Sequence, residues 1–273
     1  MLRYLKFVGA IVLISLALFP LYWTFNYSVL PEKETVRYPP HYYPPIDVFT
    51  VVNYRIAFTQ YPILRSLLNS IIIVALASVV TLFLSFLPAY VLAKHNFRLR
   101  DSVYYGIMAL LAVPWVSYTI PLYRVANAVG LVDTHLLMIM LYGFSGIPLF
   151  TWIAIPFFRT LPDELIDTGR IYGLSEFGII WRIAVPVLRN ALVALFLLRF
   201  VWAYGDLLYS LIFTFDQAKM ILPAILEFPG LFEMPYARMA VGGIVAIAPI
   251  LVLVMVFQKY IISGLTQGLK ISV

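Results

Sequence analysis

Two ionisable residues lie in one long apolar run, and their types and spacing make them the first candidates for chemistry. Arg199 and Asp206 are seven positions apart, which places them on one face of a helix, roughly 10 Å apart along its axis. At that distance they do not pair directly. Trp202 and Tyr204 lie between them. Aromatic rings beside polar groups suit a sugar, because its C–H face stacks on rings while its hydroxyls need donors and acceptors.

Arg199 sits near the middle of this run, where insertion of an arginine costs roughly 2.5 to 3.5 kcal/mol. We therefore expect it to face a bundle interior, an aqueous cavity or a partner chain rather than lipid. The alternative is that Arg199 and Asp206 are structural and bond to a partner chain.

Other kinds of site chemistry have little support in the sequence. There are no cysteines, and His41, His95 and His135 are scattered, with no HExxH motif and no acidic cluster at ligand spacing, which argues against a metal site. No G-x-x-x-x-G-K-[ST] motif occurs, so the chain lacks a P-loop for ATP. The apolar runs also offer almost no nucleophile or base for an enzyme.

Composition places the chain in a membrane. Hydrophobic residues make up 63% of the 273 residues and charged residues 12%, against roughly half and a quarter in soluble domains. The net charge of +6 is typical of cytoplasmic loops in a multi-pass protein, so we do not expect a nucleic-acid partner.

The apolar runs predict an all-α membrane protein with six transmembrane helices in a single domain, residues 1–273. About 20 residues suffice to cross the hydrocarbon. The predicted spans are 5–26, 69–93, 103–124, 134–158, 186–213 and 237–262. We read the first as a retained anchor, because no small-x-small cleavage site follows it. Prolines in the third and fourth spans predict kinks inside the bundle.

Cation counts orient these spans. With the N-terminus in the cytoplasm, eleven Lys and Arg residues fall on the cytoplasmic side and seven outside. The bias predicts that both termini are cytoplasmic. Residues 27–67 then form an external loop, irregular around the proline- and tyrosine-rich segment 38–45. Two interpretations of this loop stay open, contact with an extracellular binding protein or a merely solvated loop, and residues 54–67 are expected to form a short interfacial helix.

Residues 159–186 are the one long charged interruption in the second half of the chain, and we interpret them as a cytoplasmic docking loop. Thr160, three residues before Asp163, is the predicted N-cap of a first short helix. Gly173 ends that helix, and Ser175 caps a second one. The predicted apolar face of the first helix comprises Leu161, Leu165, Thr168 and Tyr172.

The order of residues here resembles the EAA loop of ABC-importer permeases. An acid at Asp167 is followed six residues later by Gly173 and then by Ile183-x-x-Pro186. Where that family usually reads Glu-Ala-Ala, this chain reads Asp167-Thr168-Gly169, and a glycine within the helix is expected to loosen it by about 1 kcal/mol. The flanks are similar to the smaller, maltose-type permease subunit of the carbohydrate-uptake branch. These flanks are residues 158–165, 181–183, 53–54, 69–70, 120–123 and 264–268.

The resemblance implies a type I ABC-importer permease fold, no enzymatic activity and no cofactor in this chain. It also implies that a separate ATP-binding subunit, present as two copies or two homologues, docks on the 159–186 loop. Further implied partners are a second, homologous permease and an extracellular or periplasmic binding protein. The implied coupling residues are Glu164, Asp167, Gly169, Gly173, Ser175 and Pro186.

The same resemblance places the fifth span along the substrate pathway. Trp202-Ala-Tyr-Gly-Asp206 aligns with the position where sugar permeases often read Trp-Asn-Glu, so we expect Arg199, Trp202, Tyr204 and Asp206 to face that pathway. The expected function is ATP-driven uptake, with a sugar as substrate. The alternative is a secondary transporter or channel subunit that ATP does not drive, a class that typically contains inverted repeats; no repeat between the two halves is visible in this sequence.

Overall fold

The computed structural model describes residues 2–228 and 234–269, and every regular element in those ranges is helical. In chain order the helices are α1 (Leu2–Ser28), α2 (Glu32–Thr35), α3 (Val52–Gln60), α4 (Ile63–Lys94), α5 (Arg100–Leu111), α6 (Trp115–Ala128), α7 (His135–Ser145), α8 (Ile147–Arg159), α9 (Asp163–Ile171), α10 (Glu176–Ile179), α11 (Val185–Val187), α12 (Arg189–Tyr204), α13 (Leu208–Phe213), α14 (Ile221–Leu226) and α15 (Tyr236–Leu269). A π-helical turn, Ile180–Ala184, joins α10 to α11.

Length and composition allow up to six membrane crossings among the described residues. Three single helices qualify, in α1 from Lys6, in α4 and in α15 as far as Tyr260. Three further candidates are bent pairs, namely α5 with α6 (83°), α7 with α8 (49°), and residues 176–187 with α12 (88°). The predicted all-α class is therefore what the chain forms.

The breaks in the bent pairs follow local chemistry. Pro114 precedes α6 with an extended ψ of 118°, because proline forces a helix to stop or restart where its missing N–H would be needed. Gly146 separates α7 from α8. The prolines at 121 and 156 instead lie inside α6 and α8, so only one of the two prolines in the third span breaks it.

The predicted fifth span, 186–213, is wrong as a single helix. α12 ends at Tyr204 after 16 residues, about 24 Å at 1.5 Å per residue, and α13 begins at Leu208. The Asp206 carboxylate accepts a hydrogen bond from the N–H of Tyr209 at 2.9 Å, so a polar cap replaces the backbone bonds that a continuous helix would make.

Other predicted boundaries shift outward. α4 begins at Ile63 rather than 69, and the last helix continues to Leu269 rather than 262. The predicted external loop, 27–67, contains α2, α3 and the start of α4, and the interfacial helix expected over 54–67 is divided by Pro62. Glu233, assigned to the outer loop after the fifth span, and residues 270–273 of the tail lie outside the described residues.

The chain divides into two compact units, of which the first comprises Met1–Leu68 and Met220–Pro249. Here the Glu32 carboxylate accepts hydrogen bonds from the N–H groups of Ala237 (2.9 Å) and Arg238 (3.1 Å) at the start of α15, where the helix dipole favours an anion. The tyrosine-rich segment is tied to α1, because the Asn26 amide donates to the carbonyl of His41 at 2.6 Å.

The second unit comprises Asn69–Lys219 and Ile250–Val273 and contains both candidate sites. An apolar core joins α4 and α8 to residues 161–188, with Tyr90, Phe150, Phe158 and Ile179 fully or almost fully buried. The rings of Tyr90 and Phe158 meet edge-on at 5.9 Å. This core fixes the short helices α9, α10 and α11 against two long ones.

Candidate functional site

The coupling loop, residues 159–186, begins with a helix that is capped differently from the prediction. α9 starts at Asp163, directly after Pro162, whereas the Thr160 hydroxyl donates to the carbonyl of Phe157 at 2.7 Å. Thr160 is therefore not the cap, because its hydroxyl is already used by the helix before it. Lys94, at the end of α4, holds the first turn through Asp163 Oδ1 at 2.7 Å, and this ammonium group lowers the pKa of that carboxyl.

The buried face of α9 also differs from the expected one. Ile166 and Gly169 point inward, whereas Leu165, Thr168 and Tyr172 are exposed. Of the predicted apolar face only Leu161 is buried, at 3% exposure, and it precedes the helix. The face that packs is instead the one that carries Gly169, which lies against Ile183 and Ile179.

Gly169 explains how α9 lies so close to the rest of the loop. A Cβ at this position would stand 2.7 Å from Ile183 Cδ1 and 3.3 Å from Ile179 Cγ1. The glycine was expected to loosen the helix. Its small size instead lets α9 pack directly on the turn that follows, so the intrinsic cost of a helical glycine is offset by packing.

Gly173 terminates α9 in the manner of a Schellman motif. Its φ is +78°, its N–H donates to the carbonyl of Arg170 at 2.9 Å, and the N–H of Leu174 donates to the carbonyl of Gly169 at 3.0 Å. This pair of bonds satisfies two free carbonyls at the helix end. A Cβ on Gly173 would meet nothing within 4 Å, so its backbone angle, rather than its surroundings in this chain, requires glycine.

Ser175 caps α10 as predicted, with its hydroxyl accepting a bond from the N–H of Gly178 at 3.2 Å. The next residue, Glu176, was not singled out by the sequence, yet it is the centre of a polar cluster. It accepts bonds from Tyr90 Oη (2.8 Å) and Arg170 Nε (3.0 Å), and His95 Nε2 lies at 3.3 Å. Glu176 thus joins α9 to the buried end of α4.

The remaining predicted coupling residues lie on the outside of the loop. Glu164 and Asp167 are exposed, and Asp167 pairs with Arg170 at 3.1 Å. Pro186 is exposed within α11, directly after the π-helical turn. Because proline offers no N–H to the carbonyl four residues before it, the wider π-helical turn at this place is expected.

Three large apolar side chains are left exposed at the tip of the loop. Ile171 is 85% exposed, Tyr172 82% and Phe177 54%. They lie on either side of Gly173, within seven residues of one another. Exposed apolar groups concentrated in this way are typical of an interaction surface.

The second candidate site surrounds Arg199 on α12, which is 5% exposed. Its Nε donates to Thr81 Oγ1 at 3.2 Å, and its Nη2 donates to the carbonyl of Tyr142 and to Ser145 Oγ. The guanidinium carbon stands 5.9 Å from the centre of the Phe150 ring. Arg199 therefore faces the helix bundle, as its cost in lipid predicts, and it bonds groups on α4 and α7.

Asp206 lies beyond the end of α12, so the expected shared helix face with Arg199 does not exist. Its carboxylate accepts bonds from Tyr142 Oη at 3.2 Å and from the N–H of Tyr209 at 2.9 Å. Tyr142 is thus the link between the two residues, since its carbonyl meets Arg199 and its hydroxyl meets Asp206. Arg199 and Asp206 form no direct salt bridge in the described structure, as their spacing predicts.

A cavity of about 260 Å³ opens between these groups. Arg199, Asp206 and Trp202 line it, and Trp202 is 59% exposed. Tyr204 does not line it, because that ring is buried and stacked on Phe200 with centroids 5.6 Å apart. Sequence reasoning missed further aromatic walls: Trp115, Tyr118 and Tyr142 come from distant segments, and Tyr209 follows Asp206 by three residues.

Comparison with known proteins assigns the family. The family described as binding-protein-dependent transport system inner membrane component matches residues 82–267, a range that holds the coupling loop and nearly all of the cavity. The chain belongs to this family. It is accordingly a multi-pass membrane transport subunit rather than an enzyme, and its family needs no cofactor of its own.

Several curated relatives cover almost the whole chain. The trehalose transport system permease protein SugB of Mycobacterium tuberculosis is 31% identical, over 93% of this permease and 93% of that protein. The sulfoquinovosyl glycerol transport system permease protein SmoH of Agrobacterium fabrum is 29% identical, over 97% and 92%. The trehalose/maltose transport system permease protein MalG of Thermococcus litoralis is 29% identical, over 97% and 96%.

Solved structures show the same fold. A chain of a bacterial ABC transporter for the import of alginate superposes with a TM-score of 0.74 at 19% identity, covering 94% of this permease and 96% of that chain. At this identity the likeness concerns the fold alone. It confirms the expected ABC-importer permease architecture.

Proposed function

We propose that this permease is the smaller, maltose-type membrane subunit of an ATP-driven sugar importer. The relatives named above carry sugar or glycoside transport in their names, and the observation that carries the proposal here is the cavity beside Arg199. Its aromatic walls, with a guanidinium and a carboxylate at one side, supply the stacking surfaces and the hydrogen-bonding groups that a sugar requires.

The size of the cavity supports a shared pathway. Complete ligand sites occupy about 300 to 1,000 Å³, and this one measures about 260 Å³. A second, homologous permease is therefore proposed to complete it, so that each chain forms half of the route. A binding protein delivers the sugar from outside.

Energy is proposed to enter through the coupling loop. Ile171, Tyr172 and Phe177 form its exposed apolar tip. We propose that this tip becomes buried in a groove on a separate ATPase, which binds the ATP. Glu164 and Asp167 flank this tip as secondary contacts, while Gly169, Gly173, Ser175 and Pro186 set its shape. Closure of the ATPase then moves the loop, and the core under it carries the movement to α4 and α8.

The test is co-expression with candidate ATPase and permease partners. Co-purification of a stable complex, with ATP hydrolysis that rises on adding the sugar-loaded binding protein, is the expected result. Uptake by the chain without an ATPase, driven by a proton or sodium gradient, would instead establish the secondary transporter. Tyr172→Glu is the matched variant, because a charge at the exposed tip should prevent ATPase docking while leaving the buried core intact.

The orientation is proposed from the cation bias, with both termini cytoplasmic. The chain contains no cysteine, so single cysteines report their side without background. Tyr43→Cys, at a residue 70% exposed, should react with an impermeant reagent from outside, and Tyr172→Cys only after permeabilisation. The reverse pattern of labelling would overturn this topology.

A further inference from the structure

A polar pocket lies where the start of α5 meets the end of α8. The Arg199 cavity lies at the other end of α8, near Leu149 and Phe150. The polar pocket measures about 240 Å³ and is lined by Leu92, Arg100, Asp101, Tyr104, Tyr105 and Arg159. None of these residues lines the Arg199 cavity; Arg159 is the first residue of the coupling loop but has no coupling role assigned above, and Leu92 belongs to the core under that loop. Its two arginines and two tyrosine hydroxyls are donors that suit a phosphate.

The pocket is held in shape by neighbouring groups. Arg100 donates through Nε (3.0 Å) and Nη2 (2.7 Å) to the carbonyl of Leu92, which fixes the guanidinium and leaves Nη1 for another acceptor. Trp152 Nε1 donates to Tyr104 Oη at 2.9 Å, which fixes that ring. Arg159 has no hydrogen bond or salt bridge to any residue that the structure describes, so its charge is not neutralised within the chain.

The order of side chains along both helices matches a membrane boundary. Arg100 and Arg159 are the terminal residues of α5 and α8, and Tyr104 and Trp152 follow one to two turns further in, at about 6 and 10 Å. Cations at the edge and aromatic rings just inside it are typical of the headgroup level. Tyr105 and Trp152 are exposed at 68% and 46%, as groups facing lipid are.

We propose that this pocket binds the phosphodiester of an anionic membrane phospholipid, with Arg159 and Arg100 as its cationic contacts. Asp101 is the one carboxylate in the lining. Arg98, two residues before Arg100, adds a further cation to the same corner, so the local charge stays positive and favours an anionic over a zwitterionic headgroup. The exposed aromatic rings beside the two arginines favour a lipid over a free phosphate ion, because such rings are typical of the headgroup level.

The experiment uses the full-length chain in vesicles of phosphatidylcholine to which brominated phosphatidylglycerol is added. Bromine quenches nearby tryptophan, and the signal of Trp152 is isolated by subtracting the titration of Trp152→Phe. We expect preferential quenching of Trp152 by phosphatidylglycerol over brominated phosphatidylcholine. Arg159→Gln should weaken that preference about fivefold, the equivalent of about 1 kcal/mol for one cation at the surface.

Arg189→Gln is the matched control. Arg189 is also an exposed arginine at a helix terminus, as the first residue of α12, but it does not line the pocket. This variant should leave the preference unchanged. Equal quenching by the two lipids, or equal losses in Arg159→Gln and Arg189→Gln, would overturn the proposal. Displacement of phosphatidylglycerol by inorganic phosphate would assign the pocket to a free anion and would likewise overturn it.

Discussion

The coupling loop and the Arg199 cavity use the same side-chain types in opposite ways. In the loop, Arg170 is 42% exposed and contacts two carboxylates, Asp167 at 3.1 Å and Glu176 at 3.0 Å. In the cavity, Arg199 is 5% exposed and contacts only neutral oxygens. Among the described residues it forms no salt bridge.

The two arginines therefore differ in their surroundings: Arg170 forms exposed ion pairs on the loop, whereas Arg199 lies buried in the bundle without an ion pair to any described residue. Exposed ion pairs contribute about 0 to 1 kcal/mol, so the loop must be shaped mainly by its glycines, its cap and its core. The guanidinium of Arg199 is not paired with a carboxylate of the described chain, although Asp206 lines the same cavity, and its field is screened less there than in water because the effective dielectric constant is lower. We therefore propose that the charge of Arg199 acts on the transported solute.

Removal of the buried charge of Arg199 is expected to have the largest effect. Arg199→Leu removes the charged donor to Thr81 Oγ1, the Tyr142 carbonyl and Ser145 Oγ. Within the described chain these groups keep only the neutral bonds that the two hydroxyls donate to backbone carbonyls, and a buried hydrogen bond to a charged group contributes about 1.5 to 3 kcal/mol. We expect a large loss of folded chain, measured as monodisperse protein in detergent and as the unfolding temperature. Arg199→Lys should recover part of it through one donor. Normal stability of Arg199→Leu would show that water replaces the guanidinium.

The second prediction concerns Asp206, the carboxylate that lines the cavity, and its effect on uptake. Asp206→Ala removes the acceptor of Tyr142 Oη and of the Tyr209 N–H, and we expect uptake of the sugar to fall about tenfold, equivalent to about 1.4 kcal/mol, with the complex still assembled. Asp206→Asn is the control, because it keeps an acceptor for both bonds without the charge. Normal uptake by Asp206→Ala, or its failure to assemble, would remove Asp206 from the pathway.

The two regions also differ in how far the sequence predicted them. Ser175 as a cap and Gly173 as a helix end were readable, because both act on residues within three positions of themselves. Glu176 and Tyr142 were not, because their partners lie 86 and 64 positions away. The cavity walls Trp115 and Tyr118 lie on α6, far along the chain from Arg199, and only the packed bundle brings that helix to the cavity.

The buried face of α9 likewise could not be predicted from the sequence. The spacing of Leu165 and Tyr172 fitted an amphipathic helix, yet both are exposed and Gly169 is buried. A glycine counts as neutral in an apolar pattern, so the pattern did not reveal that it marks the closest approach to Ile183. The exposed apolar residues, Ile171, Tyr172 and Phe177, are the observation from which the docking of a partner is proposed.

A third prediction concerns the turn that presents this exposed tip. Gly173→Asp should uncouple ATP hydrolysis from uptake several-fold while the protein stays in the membrane, because it places a charged side chain in the turn at φ +78°. Gly173→Asn is the control, since asparagine tolerates this backbone region well and carries no charge; most of the uptake should remain. Retained uptake with normal ATPase association in Gly173→Asp would reduce Gly173 to a helix cap.

The smallest expected effect comes from the ion pair between Lys94 and the exposed Asp163 at the start of α9. Lys94 lowers the pKa of Asp163 below its ordinary value of 3.8, so the ionised carboxylate is favoured in the folded state. Its contribution to stability is therefore complete above pH 3.8 and is lost as the pH falls through the lower, folded value. The unfolding temperature of Asp163→Asn should lie slightly below that of the unaltered chain, by an amount that is constant from about pH 8 to about pH 5 and shrinks only in stronger acid. Because Asp163 is exposed, high salt should also reduce the difference. A difference that grew on acidification would mean that the protonated carboxyl is the stabilising form and that Lys94 holds α9 through the carbonyl of Leu161 alone.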